Sequence, residues 1–332
     1  MRCIFCLEER APSREHVFPE SIGGTFVIDR VCKTCNERLG AKVDCKLSDH
    51  LACLVVREQL GMIDGVGRPV RSWPRFFREG VLAADQTRTI EIRQDRETGR
   101  FNAKLRPHSR AITSPEGVIG EEISIDLSDI DQLPKIVQRR RKRAGLKPMS
   151  EPEIEALMNE ARMNICTIER PELIHYSKVD IENYKLAIAK IAYEMAWHWL
   201  GDVYLADARA MILRDYILGR RDNLPVSYIE FKEDHAGFAP WASEPNAHIA
   251  LGVSQARSHA IALRIFGIFI GVVEITSANE RYGDIAWNRF LLIDPATGMQ
   301  RASSLNAEIA FVVRKERQAR RTTTDEQQSL TF

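Results

Sequence analysis

Cys3-Ile4-Phe5-Cys6, Glu15-His16-Val17-Phe18-Pro19-Glu20-Ser21-Ile22-Gly23-Gly24 and Val31-Cys32-Lys33-Thr34-Cys35-Asn36 follow one another within the first forty residues. Each Cys-X-X-Cys pair turns tightly enough to aim both sulfurs at one ion, and two such pairs make a tetrahedral four-cysteine zinc site. About 25 residues separate the pairs, enough for a small hairpin whose folding zinc would support. Disulfides are the weaker reading. The chain opens Met1-Arg2-Cys3 without a secretory pattern, its seven cysteines are an odd number, and Cys45, Cys53 and Cys166 show no pairing pattern. These features point to a reducing cytoplasm, with the three remaining cysteines as core residues.

The order of two knuckles, an acid-His pair, a Gly-Gly turn and a Cys-Asn step resembles the zinc-knuckle branch of the HNH endonucleases, over about the first 60 residues. The resemblance implies a ββα-metal (His-Me finger) fold and phosphodiester hydrolysis leaving 5′-phosphate and 3′-hydroxyl ends. It makes His16 the candidate general base, since imidazole titrates near neutral pH. It makes Glu15 and Asn36 the candidate oxygen ligands of a catalytic Mg2+ or Mn2+, with open positions for phosphate and water. Neighbours on a regular strand face opposite ways, so Glu15 and His16 require an irregular strand edge. Asn36 belongs in the first turn of a helix over about Lys33–Val43. Many members of the family carry a middle Asn that pins the His loop; here Thr25–Val31 offers only Asp29, equally readable as a surface carboxylate and kept off the catalytic list. Asp44, eight residues beyond Asn36, either approaches the metal as an outer group or caps the next helix, and the structural role is preferred.

The 332 residues exceed what a single finger and one small core require. With 44% hydrophobic residues and a net charge of +1, the chain reads as soluble and globular, without global attraction to DNA. Basic surface must be local. Residues 61–150 carry about six more basic than acidic side chains, concentrated at Arg139-Arg140-Arg141-Lys142-Arg143, which reads equally as a nucleic-acid-binding stripe and as a solvated helix or hinge. The absence of a repeat, a Walker motif or a Gly-rich nucleotide fingerprint argues against ATP-driven translocation.

The expected fold class is α+β: the finger, then a small antiparallel β segment, then a C-terminal α+β domain. The expected divisions are 1–61, 62–149 ending in the basic linker, 150–314 starting at the helix signal Ser150-Glu151-Pro152-Glu153, and a disordered tail at 315–332. Leu47, Leu51, Leu54 and Val55 predict a helix ended by Gly61 that packs the finger onto the remainder. Thr89–Arg93 and Phe101–Leu105 predict a hairpin around Glu97-Thr98-Gly99, with Glu122–Leu127 as a third strand. Helices are expected at Tyr184–Leu200 and Leu205–Leu218, then strands at Val226–Phe231, His248–Val253, Ala260–Ile275, Phe290–Ile293 and Ile309–Val313. Ala260–Ile275 is too short and too broken by Arg264, Gly267 and Gly271 to cross a bilayer, and reads as two buried strands joined near Gly267. His198, His235, His248 and His259 lack metal spacing and read as surface or core residues.

The functional expectation is a metal-dependent DNA endonuclease, with RNA left open, acting as a restriction-like or anti-phage effector. A single finger cuts one strand, so double-strand breaks would need a homodimer or two nicks, and the C-terminal domain would position DNA, dimerise or receive a small-molecule or protein activator. Two alternatives stand beside it: a non-catalytic zinc-dependent nucleic-acid-binding regulator, and a mobile-element nuclease.

Overall fold

The computed structural model describes residues 1–72, 76–95, 98–113, 117, 119–176, 181–224, 229–231, 236–255, 258–277, 282 and 288–329. The chain begins with the antiparallel pair β1 (Pro12–His16) and β2 (Val27–Cys32), followed by α1 (Lys33–Leu39). This is the expected ββα order. The helix does not stop near Val43: a π turn over Gly40–Asp44 leads into α2 (Cys45–Ser48), and α3 (Leu51–Gln59) follows. Gly40 and Asp44 both keep right-handed helical backbone, so no stop signal interrupts the run.

Two compact units divide the chain: Met1–Arg71 with Val179–Phe332, and Ser72–Lys178. This differs from the four consecutive segments expected. The Ser150 signal is real, since Ser150 and Glu153 form a reciprocal capping box at the helix Glu151–Met163. A capping box, however, reports where a helix starts and not where a core ends. That helix belongs to the middle unit, where β8 (Leu173–Ile174) also pairs with β3 (Glu79–Leu82).

Within the middle unit, β4 (Asp85–Gln94) pairs with β3 and with β5 (Phe101–Leu105), giving the order β5-β4-β3-β8. The predicted hairpin is present, although Glu97 of its turn lies outside the described residues. The expected third strand appears as β7 (Ile119–Ser124), but it pairs only with β6 (His108–Thr113) in a separate ribbon. The basic run ends the helix Leu133–Arg143, where cations complement the carbonyl end of the dipole.

The larger unit carries a six-stranded antiparallel sheet, ordered β14-β13-β10-β11-β12-β9. Its members are β9 (Ile229–Phe231), β10 (His248–Gln255), β11 (Ser258–Ile265), β12 (Phe269–Thr276), β13 (Phe290–Ile293) and β14 (Gln300–Ser303). Residues 226–228 of the predicted Val226–Phe231 strand, and His235, lie outside the described residues. The two strands expected within Ala260–Ile275 are β11 and β12, joined through Phe266 and Gly267, both at positive φ. The period of two sends Ile261, Leu263, Val273 and Ile275 to one core, and Ile249, Leu251, Ala262 and Ile270 to another. The first core also contains the helices Ile181–Leu200 and Ala208–Ile217.

Residues Cys3, Ile4, Phe5, Val17, Phe18 and Ile22 of the finger belong to that same first core. The finger is therefore built into the larger unit. Tyr193 Oη donates to the Ile4 carbonyl at 2.6 Å, and Arg30 grips Asp202 with two bonds of 2.8 and 2.7 Å.

One C-terminal expectation is corrected: Ile309–Val313 lies in a helix and not a strand, and that helix, Leu305–Ser329, reaches into the segment expected as a disordered tail, with 330–332 outside the described residues. Ser304 Oγ accepts from Ala307 N in its first turn, and Glu308 accepts from Trp241 Nε1 and Arg301. That anchored start lets a polar sequence of good helix formers propagate, because elongation costs far less than nucleation. Cys166 is also corrected, being exposed and not a core residue, whereas Cys53 is buried. Among the described residues, no helix is long and apolar enough to cross a membrane.

Candidate active site and metal centre

Cys3 and Cys6 flank the first knuckle, where Leu7 takes a left-handed φ of 63° and returns its N–H to the Cys3 carbonyl at 2.9 Å. Cys32 ends β2 as the N-cap of α1, and Cys35 lies in the first turn. All four Sγ atoms lie within 4.8 Å of one another, with Cys6 and Cys32 3.9 Å apart. A tetrahedral ion with Zn–S bonds of about 2.3 Å places its sulfurs about 3.8 Å apart. The separation is far too long for a disulfide, whose sulfurs lie about 2.05 Å apart. Cys32 N–H also donates to Cys3 Sγ at 3.4 Å, a bond that favours thiolate. The four cysteines fit zinc in donor type, number and spacing.

The catalytic candidates sit on the other side of the hairpin. The register of β1 against β2 shifts between Ser13 and Glu15, the irregularity that the Glu15-His16 pair requires. Glu15 turns inward and is 1% exposed, while His16 is half-buried. Burial lowers the His16 pKa below the ordinary imidazole value, with Arg14 and Lys190 pushing the same way against Glu20 and Asp44. A neutral imidazole at pH 7 is a competent proton acceptor.

Downstream of His16 the chain makes a compact turn. Gly23 N–H and Gly24 N–H donate to the Glu20 and Pro19 carbonyls at 2.9 and 3.1 Å, and Gly23 has a φ of 86°. A Cβ on Gly24 would stand 1.9 Å from the Phe18 carbonyl oxygen. Only glycine allows that approach.

Asn36 is half-buried, and its Nδ2 donates to the Arg14 carbonyl at 2.6 Å and to Ser13 Oγ at 3.2 Å. It thus ties α1 to the strand just before Glu15. Asp29 is exposed on β2. Asp44 makes no side-chain capping bond; its Oδ1 lies 3.3 Å from the ammonium of Lys190.

Lys190 went unnoticed in the sequence. It lies in the helix Ile181–Leu200, fully buried, with Nζ 2.6 Å from Glu15 Oε1 and 3.3 Å from Glu194 Oε2. The same Nζ donates to the carbonyls of His16 and Val17 at 2.7 and 3.3 Å. Burial alone would lower its pKa, but Asp44, Glu194 and Glu15 outweigh that and raise it, so Lys190 is charged. Burial raises the pKa of both Glu15 and Glu194 above the ordinary carboxylate value, against the pull of Lys190. Beyond their ion pairs to Lys190, Glu15 Oε1, Asp44 Oδ1 and both Glu194 oxygens lack hydrogen-bond donors among the described residues. Three carboxyl groups face one ammonium. The single signal available in sequence was a lysine and a glutamate at i, i+4 within the apolar stretch 186–197.

His248 buttresses the same loop from β10. Its ring stacks on Phe18 at 5.4 Å, Nε2 donates to the Ile22 carbonyl at 2.8 Å, and Nδ1 accepts from Phe266 N at 3.4 Å. This bonding pattern assigns the Nε2–H tautomer. Burial depresses the His248 pKa to about 4. A folded pKa below the unfolded value of about 6.5 means that the unfolded chain takes up the proton first, so stability falls as pH drops from about 6.5 toward 4. The shift corresponds to about 3 kcal/mol. Urea denaturation at pH 7 and pH 4.5 should show that loss in the wild type and a smaller one in His248→Gln; equal losses would refute the assignment.

Of the basic run, Arg140 bonds Ser109 and Glu121, and Arg141 Nε donates to the Lys147 carbonyl at 2.8 Å. Arg139, Lys142 and Arg143 are exposed in the middle unit.

Residues 3–52 match the family described as HNH endonuclease. The matched segment spans both knuckles, β1, β2 and the helices that carry Asn36 and Asp44, and it points to a nuclease acting on nucleic acid. No curated protein and no solved structure matches the chain.

Proposed function

We propose that this protein is a metal-dependent endonuclease that hydrolyses phosphodiester bonds in DNA, with His16 as general base. The observation that carries the reading is the bulge before Glu15, which sends the carboxylate inward and leaves a half-buried, neutral imidazole within the segment that matches the HNH family. His16 removes a proton from the attacking water. The second Glu15 oxygen and Asn36 Oδ1 are the hard donors for Mg2+ or Mn2+, and the excess of carboxylate around Lys190 is the observation that suits a cation there. Such an ion, when bound, supplies the charge that stabilises the phosphorane and the leaving oxygen. The four cysteines hold structural zinc and thereby orient α1.

Supercoiled plasmid incubated with the zinc-loaded chain tests the reading. Nicked circles should accumulate when Mg2+ or Mn2+ is added and not when both are omitted. DNA bound but never cut with either ion, and RNA likewise intact, would overturn it in favour of a zinc-dependent binding module.

A further inference from the structure

We infer that Lys190 is a positioning residue for the active-site loop: its buried ammonium fastens the segment Glu15–Val17, and with it the backbone of His16, to the helix Ile181–Leu200. The two shortest contacts of Nζ go to the Glu15 carboxylate at 2.6 Å and to the His16 carbonyl at 2.7 Å. Those atoms belong to His16 itself and to the residue before it. The Val17 carbonyl at 3.3 Å extends the grip by one residue.

Lysine is an expensive choice for packing alone. An ammonium with no exposure loses its hydration, and a leucine or methionine would fill the same space within a helix whose neighbours Ala189, Ile191 and Ala192 are all buried. What the lysine adds is direction. Three N–H donors at the end of a buried stem reach two successive backbone carbonyls, those of His16 and Val17, where β1 ends. Glu194 at i+4 and Asp44 hold the ammonium on its remaining sides, so that it cannot swing away from the loop. His248 fastens the far end of the same loop at Ile22. The loop between these anchors is thus held by the C-terminal half of the chain, although all the residues of the proposed chemistry lie in the first 36. Misplacing a base by about 1 Å costs on the order of 100-fold in rate, which sets the size of the effect.

The catalytic half of this inference rests on the nuclease reading, and the test separates the two. In the full zinc-loaded chain, Lys190→Met/Glu194→Leu removes the ammonium together with its partner on the same helix and leaves Glu15 and Asp44 facing an apolar side chain. Lys190→Arg keeps the charge that the carboxyl groups require while displacing the donor from the two carbonyls. Lys185→Met is the control, since it removes a lysine of the same helix whose ammonium pairs with Glu182 and not with the loop. Zinc content and melting temperature establish that each variant folds. Amide hydrogen exchange over residues 16–24 and the separate kcat and KM for plasmid nicking are then compared.

Both Lys190 variants should lose loop protection and about 100-fold in kcat with KM little changed, whereas Lys185→Met should resemble the wild type. A folded variant with wild-type loop protection and wild-type kcat overturns the inference. Should the wild type cut nothing, the nuclease reading fails and the exchange data alone decide: selective loss of protection at 16–24 upholds the positioning role, and unchanged protection refutes it. Should the double variant lose zinc, Lys190→Arg supplies the decision on the same readouts.

Discussion

His16→Ala should lower plasmid nicking by roughly 100- to 10,000-fold, the range that a positioned general base contributes, while leaving zinc content and DNA binding at wild-type levels. The side chain is half-buried and, among the described residues, makes no hydrogen bond that holds the finger, so its removal empties a small space without freeing a buried partner. The backbone at this position is secured independently, because the carbonyl of His16 and not its ring receives Lys190. Loss of rate without loss of fold is therefore the expected signature. Nicking by His16→Ala at the wild-type rate would remove His16 from the chemistry, whatever the metal requirement.

Cys35→Ser should abolish stoichiometric zinc binding and lower the melting temperature of the larger unit by about 10–20 °C. Structural zinc contributes apparent binding energies of about 10–16 kcal/mol in small fingers. Loss of about 5 kcal/mol alone gives that shift in a domain of a few hundred residues. The effect should spread beyond the knuckle. Cys3, Ile4 and Phe5 are fully buried beside Tyr193 and the helix Ile181–Leu200, and Cys35 itself lies in the first turn of α1. A variant that holds one zinc per chain and melts with the wild type would show that the four sulfurs are not the ligand set. Wild-type melting without zinc in either protein would show that the core is self-sufficient.

The first forty residues were legible because their constraints are local. A Cys-X-X-Cys turn, a Gly-Gly turn and an irregular strand edge at an acid-His pair each depend on residues a few positions apart, and the sequence displays those directly. The turn at Phe266–Gly267, the hairpin of β4 with β5 and the capping box at Ser150 were legible for the same reason. Errors arose where local signals were asked to answer non-local questions. The cap at Ser150 was read as a domain start, and the alternation of Ile309, Phe311 and Val313 as a strand. The polarity of 315–332 was read as disorder, although the helix that Ser304, Trp241 and Arg301 anchor at Ala307 and Glu308 runs on into that segment as far as Ser329.

By itself the sequence determined the four-cysteine knuckle, since spacing along the chain controls what a short turn can bring together, and its resemblance to the HNH family supplied the ββα order and the residues proposed for the chemistry. Only the tertiary structure decided that the finger shares a core with residues beyond Val179, that Asp44 faces a buried cation and does not cap a helix, and that Lys190 and His248 hold the two ends of the active-site loop. The reason is physical: the lysine that meets Glu15 and His16 stands more than 170 residues away. A buried charge is placed by its partners, and those partners become neighbours only when the chain has folded.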